Sequence, residues 1–222
     1  MPKEGLTEII CVIDKSGSMA STAADAIGGF NTFLKAQKEL PGDARLTLIL
    51  FSDRCKVVHE SECLDEIVDL TDRNYVPGGS TALLDAVGLG IDKVVEKHEE
   101  LPEDERPEKI IMVVVTDGGE NASKEYRRDV ILGKINDCRS KDWEFVFLGA
   151  DESAFEEASS MGFAKGATRG YCADTSVGVS HMYADMSAAV TCYRADKKVD
   201  MTSIAEVDDS VKDKSDLDNL IV

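Results

Sequence analysis

Three short stretches of the chain carry side chains whose types and spacing suit them to hold a hard cation. In DKSGS, Asp14, Ser16 and Ser18 alternate directly after an apolar run. Thr81 closes GGST, and Asp117 lies in TDGGEN after a second apolar run. All five offer oxygen, the donor that hard divalent ions take. Magnesium demands a tight octahedron at about 2.0–2.1 Å and usually keeps several waters. The hydroxyls of Ser16, Ser18 and Thr81 are neutral and suit short bonds. Asp14 and Asp117 supply negative charge, directly or through water. An ion with so few charged ligands stays electron-poor, so a carboxylate from outside can complete its shell. Gly17 lets the DKSGS turn form without a Cβ clash.

Each residue also has a plain structural use. Ser and Asp cap helices and stabilise turns, and a short pattern such as DxSxS recurs by chance. The weight comes from all three segments standing in the right order, two of them at strand ends and GGST ahead of a helix.

For the segments to meet, the chain must fold into alternating strands and helices. Residues 6–13, 44–52, 109–116 and 144–150 read as strands, and 55–60 as an antiparallel edge strand reached through a short SDR connection. Helical spacing marks residues 22–39 (Ile27, Phe30, Phe33, Leu34) and 82–98 (Leu84, Val87, Ile91, Val94, Val95). It also marks 124–140, a short 151–161, and 174–194, where Val179, Met182, Tyr183, Met186, Val190 and Tyr193 share a face. Residues 162–168 read as a weak strand. The expected fold is α/β and Rossmann-like: a doubly wound, mostly parallel central sheet with one antiparallel edge strand and helices on both faces. In such sheets ligands bind beyond the carboxyl ends of the strands, near the switch in strand order. Residues 1–195 form the expected domain; 196–222 are acidic and read as a flexible tail.

The three segments resemble the metal-ion-dependent adhesion site of von Willebrand factor type A domains: DxSxS, a distant Thr, then a distant Asp within TDG. Asp14, Ser16, Ser18, Thr81 and Asp117 match that pattern without departure, and the likeness covers roughly residues 6 to 168. The last helix is similar to that of small bacterial and phage members. The resemblance implies a bound Mg²⁺ or Mn²⁺ and a protein partner that presents an Asp or Glu, in some members within a multiprotein assembly. Integrin-type members move their last helix when ligand arrives, and by that resemblance 174–194 is the place to look for such a shift, although no feature of its sequence demonstrates two states.

The bulk numbers agree with a binding module and narrow its setting. In 222 residues, 43% are hydrophobic and only 6% aromatic, enough for an aliphatic core. A net charge of −18 argues against nucleic acid, which needs a basic surface. No apolar run is long enough to span a bilayer. The first residues, MPKEGLTE, show no secretory leader. The six cysteines form no CxxC pair and read as free thiols. On those grounds the protein is expected in the cytoplasm, of a bacterium or its phage. His59, His98 and His181 are too far apart in sequence to suggest zinc.

Two other readings compete. A magnesium-dependent phosphohydrolase of the haloacid dehalogenase type needs a second acid two residues after its nucleophile, where this chain has Ser16. It also lacks a GxxxxGK[ST] loop, so an enzyme is not expected. A third reading keeps the loops purely structural, with no metal. Asp53, Asp85 and Glu120 flank the segments and are expected to cap or to hydrogen-bond. Lys15, Lys124, Arg127 and Arg128 either offset the acidity near the site or are ordinary solvated residues.

Overall fold

A computed structural model describes residues 1–150, 152–195 and 199–202. Its centre is a six-stranded sheet: β1 (Lys3–Asp14), β2 (Ala44–Phe51), β3 (Cys55–Cys63), β4 (Pro107–Thr116), β5 (Glu144–Gly149) and β6 (Thr168–Gly170). The strand order is β3-β2-β1-β4-β5-β6. All neighbours are parallel except β2 with β3, so the expected antiparallel edge strand is found at β3. The runs EIICVI and KIIMVVV are apolar on both faces because both faces are covered.

Five α-helices cover the sheet: α1 (Ala23–Glu39), α2 (Leu83–Glu100), α3 (Arg128–Arg139), α4 (Glu152–Ser160) and α5 (Ser176–Arg194). Ile9, Cys11 and Ile13 of β1 pack with Phe30 and Phe33 of α1 and Met182 and Met186 of α5. Ile10 and Val12 point the other way, toward α2, α3 and α4. Alternation along one strand thus feeds two cores. On the first face Tyr183 lies flat against Gly29 of α1. A Cβ there would come within 2.2 Å of the ring, so the residue has to be glycine.

Two elements differ from the sequence reading. The strand expected at 162–168 forms at Thr168–Gly170, behind a 3-10 turn at Lys165–Ala167. The helix expected from 124 starts at Arg128, because the amides of Lys124, Glu125 and Tyr126 are bound by the Asp85 carboxylate. The tail expectation falls on 196–198 and 203–222, outside the described residues. Between them, Met201 is buried and its amide donates to the Gly166 carbonyl (2.7 Å).

One buried acid lies away from the strand ends. Glu8 of β1 accepts the hydroxyls of Thr47 (2.8 Å) and Ser61 (2.6 Å). Ser61 has φ 48° and sits where the β2–β3 pairing shifts register. Glu8 therefore pins a bulge in the edge strand to the central strand. Burial pushes its carboxyl up to about 7, against the pull of the two hydroxyls and Arg45.

Candidate metal centre

The order of strands reverses between β1 and β4, and both end in acidic loops. β1 finishes at Asp14, and β4 at Thr116, next to Asp117. The expected ligands therefore gather at the switch point of the sheet.

Asp14 is buried and fixed on three sides. One carboxylate oxygen accepts the Ser16 amide (2.6 Å), and the other accepts the Thr116 hydroxyl (2.7 Å). Its carbonyl accepts the buried Tyr75 hydroxyl (2.7 Å). Ser16 Oγ lies 3.1 Å from Ser18 Oγ, which donates to Asp117 Oδ1 (2.8 Å). Four of the five expected residues are thus gathered through direct bonds.

Thr81 is carried to them by its loop. The Gly78 amide donates to the Lys15 carbonyl (2.9 Å), and the Gly17 amide to the Gly79 carbonyl (3.0 Å). On the other side the Thr81 amide donates to Asn121 Oδ1 (2.8 Å), and the Asn121 amide donates to the Thr81 carbonyl (3.0 Å). The GGST loop is stitched to both acidic loops. It is Gly79, at φ +81°, and not Gly17 that takes the left-handed conformation here. Gly17 instead allows close approach, since a Cβ on it would stand 3.4 Å from the Gly79 carbonyl.

The electrostatics of this cluster favour a cation. Burial pushes the Asp14 carboxyl up to about 6; the Thr116 and Ser16 bonds pull it down, and Asp117 pushes it further up. Among the described residues, no Lys, Arg or His forms an ion pair with Asp14 or Asp117. Neighbouring oxygens around an ion with bonds of about 2.0–2.1 Å stand about 2.9 Å apart. The Ser16–Ser18 and Ser18–Asp117 separations of 3.1 and 2.8 Å fit that spacing. Among the described residues no cluster of three or more His, Cys, Asp or Glu could hold a metal. The switch point instead gathers two carboxylates and two hydroxyls, with the Thr81 backbone tied in beside them.

The flanking acids take the roles expected of them. Asp85 holds three amides of the loop before α3, and Glu120 holds those of Leu84, Ala122 and Ser123. Asp53 accepts the Ser52 hydroxyl (3.2 Å). Sequence reasoning missed Thr116, Tyr75 and Asn121 as positioning residues. Thr116 and Asn121 sit inside the TDGGEN stretch already singled out. Tyr75, the lone aromatic between residues 64 and 81, was the available signal in that polar stretch.

A family model described as the von Willebrand factor type A domain matches residues 8–183. The chain belongs to that family. No curated protein matches it at a significant level. Solved structures share the type A fold at low identity. One is a mutant of the PilB minor pilin from Streptococcus sanguinis, with TM-score 0.61 and 12% identity, covering 86% of this chain and 63% of that one. Another is the vWF domain of the type V pili tip protein Mfa5 from Porphyromonas gingivalis (TM-score 0.59, 8% identity, 84% and 95% coverage). A third is proximal thread matrix protein 1 from the mussel byssus with a zinc-occupied adhesion-site motif (TM-score 0.56, 15% identity, 84% and 46% coverage). This type A domain therefore spans under two thirds of the pilin and under half of the mussel protein.

The cytoplasmic location expected from the sequence needs correcting. The solved structures that share its fold include a minor pilin and a pilus-tip protein, and nothing among them supports the cytoplasm. The expectation of a cytoplasmic location draws on the first residues, MPKEGLTE, and on the cysteine spacing. Neither is a property of the fold, and neither decides a compartment.

Proposed function

We propose that this type A domain is a protein-binding module that recognises an acidic side chain of its partner through a divalent cation. Asp14, Ser16, Ser18, Thr81 and Asp117 would hold the ion, Mg²⁺ or Mn²⁺. When bound, it supplies a Lewis-acid position that a partner's Asp or Glu carboxylate can fill. The chain's own contribution is rigidity. Thr116 and Tyr75 fix Asp14, and Asn121 fixes the Thr81 loop, so the donors are arranged before any ligand arrives. The observation that carries the reading is the buried Asp14 carboxylate, joined to Asp117 through the Ser16 amide and the Ser16 and Ser18 hydroxyls and, among the described residues, paired with no protein cation. The pilin and adhesion-site likenesses support a surface partner within a larger assembly.

The experiment is a thermal melt with and without cation. An ion at 100 times its dissociation constant adds about 2.7 kcal/mol, or roughly 5–10 °C for a domain of this size. Millimolar Mg²⁺ or Mn²⁺ should raise the wild-type midpoint by that order, with zinc as a third arm. Asp14→Ala and the exposed Ser18→Ala should abolish the shift. A wild-type midpoint that ignores all three ions sinks the reading. We assign no catalytic role, since Ser16 stands where a phosphohydrolase needs its second acid; metal-dependent phosphatase turnover lost in Asp14→Ala would reverse that.

A further inference from the structure

The basic residues near the site are not alike. Arg128 grips Glu157 with two bonds, and Arg127 pairs with Asp129 (3.2 Å). Lys124 forms no ion pair among the described residues but is exposed on the loop before α3; Lys15, half-buried between Asp14 and Ser16, is different. Its backbone is locked: the amide donates to the Phe51 carbonyl (2.7 Å), and its carbonyl accepts the Gly78 amide. Its ammonium lies 3.4 Å from Ser52 Oγ and 3.5 Å from the Val76 carbonyl, both beyond ordinary hydrogen-bond length and both neutral. Among the described residues no carboxylate pairs with it, in a chain where acids outnumber Lys and Arg 43 to 25. The nearby Asp53 carboxylate is turned to Ser52 and toward Gly79.

We propose that Lys15 reads a second acidic group on the partner, so that the ligand is a pair of acids: one for the cation, one for the Lys15 ammonium. This rests on the cation-dependent reading above and names the ligand class of that same site. The half-buried ammonium is held on the rim formed by Ser52 and the loop from Tyr75 to Gly79, so the second acid approaches from that side. Val76, 58% exposed beside it, offers an apolar shoulder against which the pair loses water. An uncompensated cation here also admits an acidic ligand to a protein of charge −18.

The test uses the full chain in Mg²⁺ and NMR titration with two kinds of capped glycine peptide. One kind carries a single Asp; the other carries two, separated by zero to three glycines. At low salt the best two-acid peptide should bind about tenfold tighter than the one-acid peptide, the effect of one charge-assisted bond. In Lys15→Gln that advantage should vanish, while the one-acid affinity and the Mg²⁺ melting shift remain. As an independent readout, the ¹³C-methyl signal of reductively methylated Lys15 should move with the two-acid peptide and stay put with the other. The proposal is overturned by three outcomes: no two-acid preference in wild type, a preference that survives Lys15→Gln, or equal loss for both peptides in the variant. With the Mg²⁺ shift present, those outcomes remove Lys15 alone. A wild-type protein with no shift removes the cation reading and this inference together.

Discussion

Asp14, at the end of β1, is a fully buried acid. A carboxylate with no solvent exposure normally has a cationic partner or stays neutral. Here it has two hydrogen-bond donors, a neighbouring Asp117 and, among the described residues, no paired cation. Its backbone is equally constrained, since the Tyr75 hydroxyl donates to its carbonyl from a loop 61 residues away. Tyr75→Phe keeps the ring and removes that bond. Urea unfolding should show a loss of about 1 kcal/mol, and a Mg²⁺ titration should show weaker binding as the end of β1 loosens. Unchanged cation affinity in a destabilised variant would confine Tyr75 to a packing role.

At the scale of elements, three loops act as one because backbone bonds join them in sequence. The GGST loop is clamped between the β1 turn and the loop after β4, and the side chain in that clamp is Asn121. Asn121 is exposed, so Asn121→Ala should cost less than about 1 kcal/mol in a denaturant melt. Its effect on the site should be larger, a fall of about tenfold in cation affinity by calorimetric titration, because residues that orient ligands carry that much. A large stability loss with affinity intact would reverse the assignment. Such clamps were not legible in the sequence. Thr81 and Asn121 are 40 residues apart, and Thr116 and Asp14 are 102 apart. No local propensity encodes either distance. The misplaced start of α3 has the same origin: Lys124 to Tyr126 fit a helical pattern, but their amides bond to Asp85 of α2.

For the whole molecule, the buried Glu8 makes stability depend on pH. Its carboxyl titrates at about 7 in the fold against an ordinary 4.5. The folded state therefore holds the proton more tightly than the unfolded chain, and stability falls as pH rises between those values. Below 4.5 both states are protonated and nothing is lost. Above 7 the fold carries a buried charge at a cost of about 3 kcal/mol. Glu8→Gln removes this dependence while preserving shape. Melting midpoints of the two proteins, compared from pH 4.5 to 8, should move apart in favour of the variant by on the order of 10 °C. A constant gap would mean that Glu8 is already ionised throughout.

The sequence by itself determined the α/β class, the antiparallel edge strand and the residues that meet at the strand ends. These follow from hydrophobic period, turn residues and the chemistry of oxygen donors, all local properties of the chain. Tertiary structure alone decided the strand order that puts Asp14 beside Thr116. It also decided that Asn121 and Tyr75 hold the site, that Glu8 is buried behind the β3 bulge, and that Lys15 has no counter-ion among the described residues while Arg127 and Arg128 are paired. Each of those depends on which distant groups are packed together, and burial and pairing are properties of the fold.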